Sequence, residues 1–420
     1  MIGAGPAGLA AAWELEQAGR SVLLVDGHEA VGGRARWGLG LSLLAGTATQ
    51  HAAGVEDSPE ELLADWEAMT GEPPSAAERA FTMGAPAQVH DWLAGLGLRW
   101  GTLQAEATSE RLRVHFPEGG SPAMVATIAA ALQTPPRLGT FVTGLERAEG
   151  GGWRVRLGEE TVLSPRVVLA TGSLYAFRAR AEAAAAASPC SLDALVDGKD
   201  GALPIAADTL GLLAGVAPGT ADIGALGTYP HVLATPEHPF VDVLHAVVVG
   251  ADGRVLLRGE EWSSLAAGAR VAAEPDCVAW ALFDQRDAAG FLRGVAPDLQ
   301  ARLLGEGRVL LRRDSPAELA AAMGVEPAVL EATLAQGPPG PRAPPLWAAR
   351  LGLVAGKSFG GLATDTEGRL LDTEGQPIPG LWAAGEAAGM GGVGAPAGFD
   401  GSLSAVVFSG RVAGRHAAAD

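Results

Sequence analysis

Cysteine, tyrosine and lysine are scarce in this chain of 420 residues, with only two of each. Two cysteines, Cys190 and Cys277, cannot build a disulfide framework, and thiols in this number are most often inert core residues. The histidines show no metal-ligand spacing, so no metal site is predicted. Neither a G-x-S-x-G motif nor a cysteine–histidine arrangement is present, which removes support for a hydrolase.

Positive charge and long apolar runs are also in short supply. A formal net charge of -18 argues against nucleic acid and anionic membrane surfaces as partners. No apolar run reaches the roughly 18 residues of a membrane-spanning helix, and no charged-then-apolar leader opens the chain. We therefore expect a cytoplasmic protein without a membrane span, and the length suggests about two or three domains.

A glycine loop at the start of the chain carries the strongest signal. Gly3, Gly5 and Gly8 have the spacing of a dinucleotide loop: the first allows a tight turn, the second admits a pyrophosphate, and the third permits close helix packing. The helix that follows would turn its positive N-terminal end toward the phosphates. Residues 21–26 form a predicted buried parallel strand, and Asp26 at its end is placed to bind a ribose hydroxyl.

Three later segments favour FAD over NAD as the nucleotide. A glycine doublet, Gly32-Gly33, precedes Arg34 as in many FAD oxidoreductases, and the guanidinium is placed to meet the diphosphate. The predicted strand 166–172 ends in Ala-Thr-Gly, which resembles a strand end of the same enzymes. The pair Gly385-Glu386 resembles the segment whose acid binds the ribityl chain.

With these segments the chain resembles the fumarate reductase and succinate dehydrogenase flavoprotein family, which also contains 3-ketosteroid dehydrogenases. The resemblance extends through residues 344–348, 359–372 and 401–411, and it is strong at the FAD end and weak in the middle. The cofactor-binding residues predicted from the glycine loop and from this resemblance are Gly3, Gly5, Ala7, Gly8, Asp26, Gly32, Gly33, Arg34, Ala170, Thr171, Gly172, Gly385, Glu386, Ser402 and Leu403.

The resemblance implies an α/β fold, in which a Rossmann-like FAD-binding domain is built from two segments and carries an inserted α+β substrate cap domain. We place the first FAD segment at residues 1–224, the cap at 225–345 and the second FAD segment at 346–420. Relatives with covalent flavin use a histidine after the glycine doublet, and residues 34–42 contain none. The resemblance therefore implies noncovalent FAD.

The chain departs from the family's dicarboxylate enzymes at their cationic substrate positions. The family's cap arginine has no counterpart, since Arg258 precedes and Arg270 follows the expected place. The family's substrate-binding histidine falls on Lys357, and its late substrate-binding arginine falls in residues 394–399, which contain none. Because a dicarboxylate needs paired cations, an apolar carbonyl compound such as a steroid fits better than fumarate or succinate.

Three residues are candidates for catalysis. Tyr229 stands where the family's cap has a histidine, and a phenol can donate a proton or polarise a carbonyl, although a core tyrosine is the alternative. His231 is a candidate general base, and an ordinary cap histidine is the alternative. Lys357 lies in a glycine-rich segment that the family places near the flavin, which makes it a candidate for the substrate pocket.

These observations predict an FAD-dependent oxidoreductase that transfers a hydride between the flavin and a carbon–carbon bond adjacent to a carbonyl. Its substrate would be a small molecule, and the sequence identifies no electron donor or acceptor. One alternative is an amine- or carotenoid-type flavoprotein oxidase, against which residues 357–361 argue. A non-catalytic FAD-binding protein is the other alternative.

Local signals predict several elements outside the motifs. Ser58 and Ser315 each precede proline and stand three residues before an acid, as at capped helix starts. Residues 153–163 alternate as a β-hairpin, residues 181–187 favour a helix, and residues 337–341 favour a linker.

The residues before the glycine loop are unusually few. Only Met1 and Ile2 precede Gly3, whereas a central strand of about five apolar residues normally leads into such a loop. We therefore expect either that the true start lies upstream or that the chain is a truncated version with weakened FAD retention.

Overall fold

A computed structural model describes the protein at residues 1–37, 40–105, 109–173, 209–213, 215–221, 226–232, 246–258, 270–291, 297–336, 343–394 and 402–420. The chain divides into two compact units. The first unit comprises Met1–Phe177, Ile205–Leu226 and Lys357–Asp420, and the second comprises Arg178–Pro204 and Gly227–Gly356. The helix predicted at 181–187 and the linker predicted at 337–341 lie outside the described residues, and the three domain boundaries stay a prediction.

Helices occur in both units. The α-helices are α1 (Pro6–Gln17), α2 (Ala48–Ala52), α3 (Pro59–Thr70), α4 (Ala76–Ala85), α5 (Trp92–Gly95), α6 (Gly120–Ala130), α7 (Thr209–Leu212), α8 (Gln285–Phe291), α9 (Pro297–Glu306), α10 (Pro316–Met323), α11 (Pro327–Leu334) and α12 (Ser402–Ala419). Short 3₁₀ turns lie at Gly33–Trp37, Pro275–Cys277 and Gly385–Ala387, and a π-helical turn lies at Pro86–Asp91.

Strands lie between these helices, several of them in direct succession. They are β1 (Ser42–Leu43), β2 (Trp100–Ala105), β3 (Leu112–Pro117), β4 (Gly144–Arg147), β5 (Trp153–Leu157), β6 (Glu160–Ser164), β7 (Val167–Leu169), β8 (Thr220–Ala221), β9 (Leu226–Val232), β10 (Val247–Val249), β11 (Val255–Arg258), β12 (Ala279–Asp284), β13 (Leu310–Arg313), β14 (Leu346–Ser358), β15 (Gly361–Leu362), β16 (Arg369–Leu371) and β17 (Pro377–Ala383).

A parallel arrangement of backbone lies at the centre of the first unit. Strand β17 pairs in parallel with β7, and β16 pairs antiparallel with β17 at the edge. On the other side of β7, Ile2 forms parallel bridges to both Leu169 and Val25. The glycine loop therefore begins beside the end of β7, although the two elements are far apart in sequence.

The structure corrects the prediction of a buried strand at residues 21–26. Only Val25 pairs there, through single parallel bridges to Ile2 and Arg137, so the segment is extended but is not a continuous strand. Leu23 is 40% exposed, so the segment is not fully buried either. An apolar run marks extended backbone but does not reveal whether both faces are covered. The expectation of an upstream segment stays a prediction.

Helices α1 and α12 pack with their backbones in close approach. A Cβ added at Gly410 or Gly414 of α12 would collide with the backbone of Ala7 or Ala11 in α1. Glycine is therefore required at both positions for this distance between the helices. The packing joins the first helix of the chain to the last and fixes the position of the glycine loop.

The local signals read from the sequence are confirmed where the structure describes them. Ser58 caps α3 and Ser315 caps α10, each accepting a hydrogen bond from the backbone N–H of the acid three residues later. Strands β5 and β6 form the predicted hairpin. These caps satisfy amide groups that the first helical turn leaves without partners.

The second unit contains an antiparallel sheet in the order β11-β10-β12-β14-β13, with β9 also paired to β14. Its central strand β12 is buried along its whole length, and apolar clusters cover both of its faces. Cys277 is disulfide-bonded, so the expectation of an inert thiol is wrong for this residue. Disulfide formation depends on the spatial approach of two cysteines, which their number and spacing do not reveal. Cys190 lies outside the described residues.

In the part of the chain that the structure describes, no helix combines the length and the apolar character needed to cross a bilayer.

Candidate cofactor site

The three glycines of the loop differ in what surrounds them. A Cβ at Gly3, whose φ is +103°, would collide with the backbone of Ala170, and one at Gly8 would collide with the carbonyl of Gly3. A Cβ at Gly5 would meet nothing within 4 Å. Close packing therefore requires Gly3 and Gly8, whereas Gly5 borders open space at the start of α1, as a loop that admits a diphosphate must.

Asp26 bonds to this loop through one carboxylate oxygen and to its own turn through the other. Oδ2 accepts the backbone N–H of Ala4 at 2.6 Å, and Oδ1 accepts the backbone N–H of His28 at 2.8 Å. Bonds to a charged acceptor are stronger than neutral ones. Asp26 therefore fixes the first turn of the loop, as well as lying where a ribose hydroxyl is predicted.

The glycine doublet and the end of β7 lie against the same loop. The N–H of Gly32 donates to the carbonyl of Ala4 at 2.8 Å, and a Cβ at Gly33 would lie 3.8 Å from the Cα of Gly5. Ala170 donates its N–H to the carbonyl of Ile2 at 2.8 Å. Gly172, two residues on, again borders open space. Three segments distant in sequence thus meet at one place.

The segment after β17 completes this group. Gly385 has φ +68°, and its N–H donates to the hydroxyl of Ser409 in α12 at 3.0 Å. A Cβ at Gly385 would lie 2.9 Å from the Cβ of Ala7, so this segment packs directly on the start of α1. Next to it, Glu386 Oε2 pairs with Arg34 Nη1 at 3.1 Å.

The predicted residues Ser402 and Leu403 begin α12. Ser402 forms an antiparallel bridge to Ser42 of β1, and the hydroxyl of the neighbouring Ser404 donates to the carbonyl of Leu43 at 3.0 Å. The structure thus holds the start of α12 against β1. The role of Ser402 and Leu403 in cofactor binding stays a prediction.

Two hydroxyl contacts at the end of β7 were not predicted from the sequence. Thr171 Oγ1 lies 2.6 Å from Thr209 Oγ1, and the Ser173 and Ser358 hydroxyls are hydrogen-bonded and buried. Ser358 follows Lys357, so this contact joins the segment after β7 to the end of β14. The sequence pointed to these contacts only in part, because Ser358 lies in the glycine-rich segment of Lys357.

The three catalytic candidates are placed only by their backbone. Tyr229 and His231 lie in β9, which pairs with β14, and Lys357 lies near the end of β14. Their side chains lie outside the described residues, so their roles stay predictions. Of the two arginines that flank the family's arginine position, Arg258 bonds to the amide oxygen of Gln336, and Arg270 donates to the carbonyl of Leu256 at 3.3 Å.

A buried polar network joins β3 to α3 and to the residue Asp57 that precedes it. Arg113 and Asp57, both with fully buried side chains, form a bidentate pair at 2.8 and 2.9 Å. Burial alone would raise the pKa of Asp57, but hydrogen bonds from Arg113 and Gln50 and the charge of Arg113 lower it overall. A second acid, Asp65, joins the network. Its Oδ2 accepts a hydrogen bond from Arg113 Nη1 at 2.7 Å.

His115 continues the network toward β1. Its ring is completely buried, with Nδ1 2.8 Å from the carbonyl of Arg113 and Nε2 2.7 Å from the hydroxyl of Thr47. Burial lowers the pKa of His115 to about 4, so the imidazole is neutral at physiological pH. A neutral His115 thus joins β3 to Thr47, the residue that caps α2.

The arrangement fits an extended anionic dinucleotide. The backbone at Gly5 and Gly172 borders open space, and α1 begins at the loop with its N-terminus. Asp26 lies at the end of the extended segment 21–26, where a ribose hydroxyl is expected. The FAD binding domain family matches residues 1–210 and 294–399, well over half of the chain. The chain belongs to the FAD binding domain family. FAD is its cofactor, and the chain is a flavoprotein.

Individual relatives agree with the resemblance found in the sequence, which is confirmed. A KsdD-like steroid dehydrogenase of Mycobacterium tuberculosis is 46% identical over 83 residues, covering 19% of this chain and 15% of that protein. The NADH:fumarate oxidoreductase of Klebsiella pneumoniae is 26% identical over 424 residues, covering 93% of this chain and 44% of that protein. The chain spans less than half the length of both.

One solved structure is similar to this chain along nearly the full length of both proteins. The 3-ketosteroid delta1-dehydrogenase from Sterolibacterium denitrificans, in complex with 1,4-androstadiene-3,17-dione, matches with a TM-score of 0.79 at 18% identity. The match covers 100% of this chain and 98% of that one. At this identity the likeness shows the fold, which is mixed α/β with an FAD-binding domain.

Proposed function

We propose that the protein is an FAD-dependent oxidoreductase that transfers a hydride between the flavin and a carbon–carbon bond adjacent to a carbonyl, in an apolar substrate such as a steroid. The observation that carries this proposal is the absence of arginine at both family positions that bind dicarboxylates. Fumarate and succinate each carry two carboxylates, and recognising both requires paired cations. An apolar carbonyl compound has no such requirement.

The contacts of the two neighbouring arginines support this substrate class. Arg258 and Arg270 are the cations nearest in sequence to the missing cap arginine, and both bond to groups of the second unit. Similarity to a relative adds support, since a KsdD-like steroid dehydrogenase is 46% identical over 83 residues. The structural match to a 3-ketosteroid dehydrogenase supports the fold that such an enzyme needs.

In this proposal the first unit is a Rossmann-like FAD-binding domain and the second is a substrate cap. FAD supplies the hydride chemistry when bound. The chain itself has to orient the substrate, exclude water and move a proton. We assign the proton and carbonyl contacts to Tyr229, His231 and Lys357, because phenol, imidazole and ammonium groups can each donate a proton to a carbonyl oxygen.

Fumarate reduction is the second candidate. It is favoured by one observation, the 26% identity to an NADH:fumarate oxidoreductase over 93% of this chain. Lys357 replaces the family's histidine and supplies one cation, but a single ammonium cannot form two bidentate contacts. The steroid-type substrate is therefore the better proposal.

Single-turnover reoxidation separates these candidates. The yellow holoprotein is bleached with dithionite without oxygen, and its absorbance is followed after addition of a 3-keto-enone steroid or of fumarate. We expect the enone to restore the oxidised spectrum and fumarate to leave it bleached. Recovery with fumarate alone would support the second candidate, and no recovery with either would support a non-catalytic protein.

We also propose that FAD is held noncovalently, because residues 34–42 lack the histidine that covalent relatives use. Acid precipitation should release the flavin completely into the supernatant. Yellow colour that stays in the washed pellet would contradict this.

A further inference from the structure

We propose that Arg34 acts on FAD binding through Glu386, as a positioning residue that neutralises and orients this carboxylate. The inference rests on FAD as the cofactor and does not depend on the substrate proposed above. It differs from the expectation that Arg34 meets the diphosphate directly.

The contact itself joins the two sequence segments of the cofactor site. Arg34 Nη1 lies 3.1 Å from Glu386 Oε2, and the two side chains are only 15% and 17% exposed. Arg34 lies in the 3₁₀ turn after the glycine doublet, and Glu386 lies in the 3₁₀ turn after β17. Their separation of 352 positions means that folding, not local sequence, creates the pair.

Both residues follow a glycine that packs against the dinucleotide loop. A Cβ at Gly33 would lie 3.8 Å from the Cα of Gly5, and a Cβ at Gly385 would lie 2.9 Å from the Cβ of Ala7. The ion pair is therefore anchored beside the start of α1. This is also the end of the helix that the cofactor's phosphates approach.

The charges explain why the pair is needed. The diphosphate of FAD is anionic, and a carboxylate held beside it in a partly buried site would repel it. The guanidinium of Arg34 cancels the charge of Glu386 while leaving its oxygens oriented as acceptors. Without Arg34, Glu386 would be an uncompensated and largely buried charge.

A double-mutant cycle on FAD affinity tests this role. Apoprotein is titrated with FAD and the quenching of flavin fluorescence gives Kd for the parent protein, Arg34→Met, Glu386→Gln and the double variant. We expect Arg34→Met to weaken binding on the order of 10- to 100-fold. In the Glu386→Gln background the same change should weaken binding by less than about threefold, because the charge to be neutralised is gone.

Direct contact between Arg34 and the diphosphate predicts a different result. Arg34→Met would then weaken FAD binding by the same factor in both backgrounds, which would overturn the proposal, as would an Arg34→Met variant that binds FAD normally. Should Arg34→Met fail to fold, Arg34→Gln completes the same cycle.

Two further readouts separate positioning from a merely structural ion pair. Arg34→Lys keeps the positive charge and should bind FAD within about threefold of the parent protein. The rise in melting temperature that FAD produces should shrink in Arg34→Met. An equal drop in the melting temperature of apoprotein and holoprotein would indicate a structural pair and contradict the proposal.

Discussion

The carboxylate of Asp26 accepts the backbone N–H of Ala4 at 2.6 Å, across the 22 residues that separate the end of an extended segment from the glycine loop. Its other oxygen accepts the N–H of His28. Both oxygens are therefore used to hold backbone, so this carboxylate contributes to the shape of the loop as well as to the predicted ribose contact.

Replacing Asp26 with asparagine should weaken FAD binding. The amide keeps one acceptor oxygen but directs an NH₂ group at a backbone N–H, and a hydrogen bond to a charged group is lost. Such a bond is worth about 1.5–3 kcal/mol, so Kd should rise about 10-fold or more. Titration of apoprotein with FAD measures this.

Asp372→Asn provides the matched control. Asp372 accepts two backbone N–H groups, from Glu374 and Gln376, in the turn between β16 and β17. Both groups bond to the single oxygen Oδ1, so the variant removes the charge of a backbone-bonded carboxylate at a position outside every predicted cofactor contact. Equal losses of FAD affinity in the two variants would mean that Asp26 has only a general structural role.

Alanine at Gly5 should lower FAD affinity, whereas alanine at Gly8 should lower the stability of the apoprotein. Gly5 borders open space and has φ -72°, so Gly5→Ala should leave the melting temperature of the apoprotein nearly unchanged. The added methyl group would occupy the space expected for the diphosphate and should weaken FAD binding about 10-fold or more. Gly8→Ala should lower apoprotein stability by about 1–3 kcal/mol, because its Cβ collides with the Gly3 carbonyl. An FAD affinity unchanged in a folded Gly5→Ala would contradict the assigned site.

Acid should destabilise the protein through His115. Its pKa is about 4 in the folded protein and 6.5 in the unfolded chain. Between these values the unfolded chain binds a proton that the folded protein excludes, so the unfolding free energy falls as pH decreases from 6.5 toward 4. The loss should be on the order of 3 kcal/mol, and the contribution is fully present above pH 6.5.

Urea denaturation between pH 7 and 4 measures this effect, with His115→Gln as the comparison. Glutamine can bond to Thr47 but does not titrate, so the pH dependence should become flatter by about one proton. Asp57 acts in a different range: its lowered pKa adds stability that is lost only as pH falls below 3.8. An unchanged slope in His115→Gln would show that another group controls the acid sensitivity.

The features that could be predicted from sequence are those formed by neighbouring residues. The serine caps at Ser58 and Ser315 depend on residues three positions apart, and the hairpin of β5 and β6 depends on a short alternating run. The spacing of Gly3, Gly5 and Gly8 likewise reports a local backbone shape. In each case the physical requirement lies within one stretch of chain.

Features formed between distant segments could not be predicted in the same way. The Arg34–Glu386 pair, the contact between Ser173 and Ser358 and the disulfide bond of Cys277 depend on tertiary packing. The buried Arg113–Asp57 pair also violates the usual exposure of charged residues, and only its full set of partners explains it. Arg34, Glu386 and Cys277 were identified from the sequence, but their contacts were not, and no motif marked Ser173 or Arg113.

The ratio of kcat/KM values for two substrates tests the central claim most directly. The FAD-loaded protein is assayed anaerobically with a reduced dye as electron donor, and with either a 3-keto-enone steroid or fumarate as acceptor. Because both dicarboxylate-binding arginines are missing, we predict that the enone is preferred by about 100-fold or more. Fumarate turnover near the typical enzyme rate of about 10 per second, with kcat/KM equal to or above that of the enone, would contradict the account.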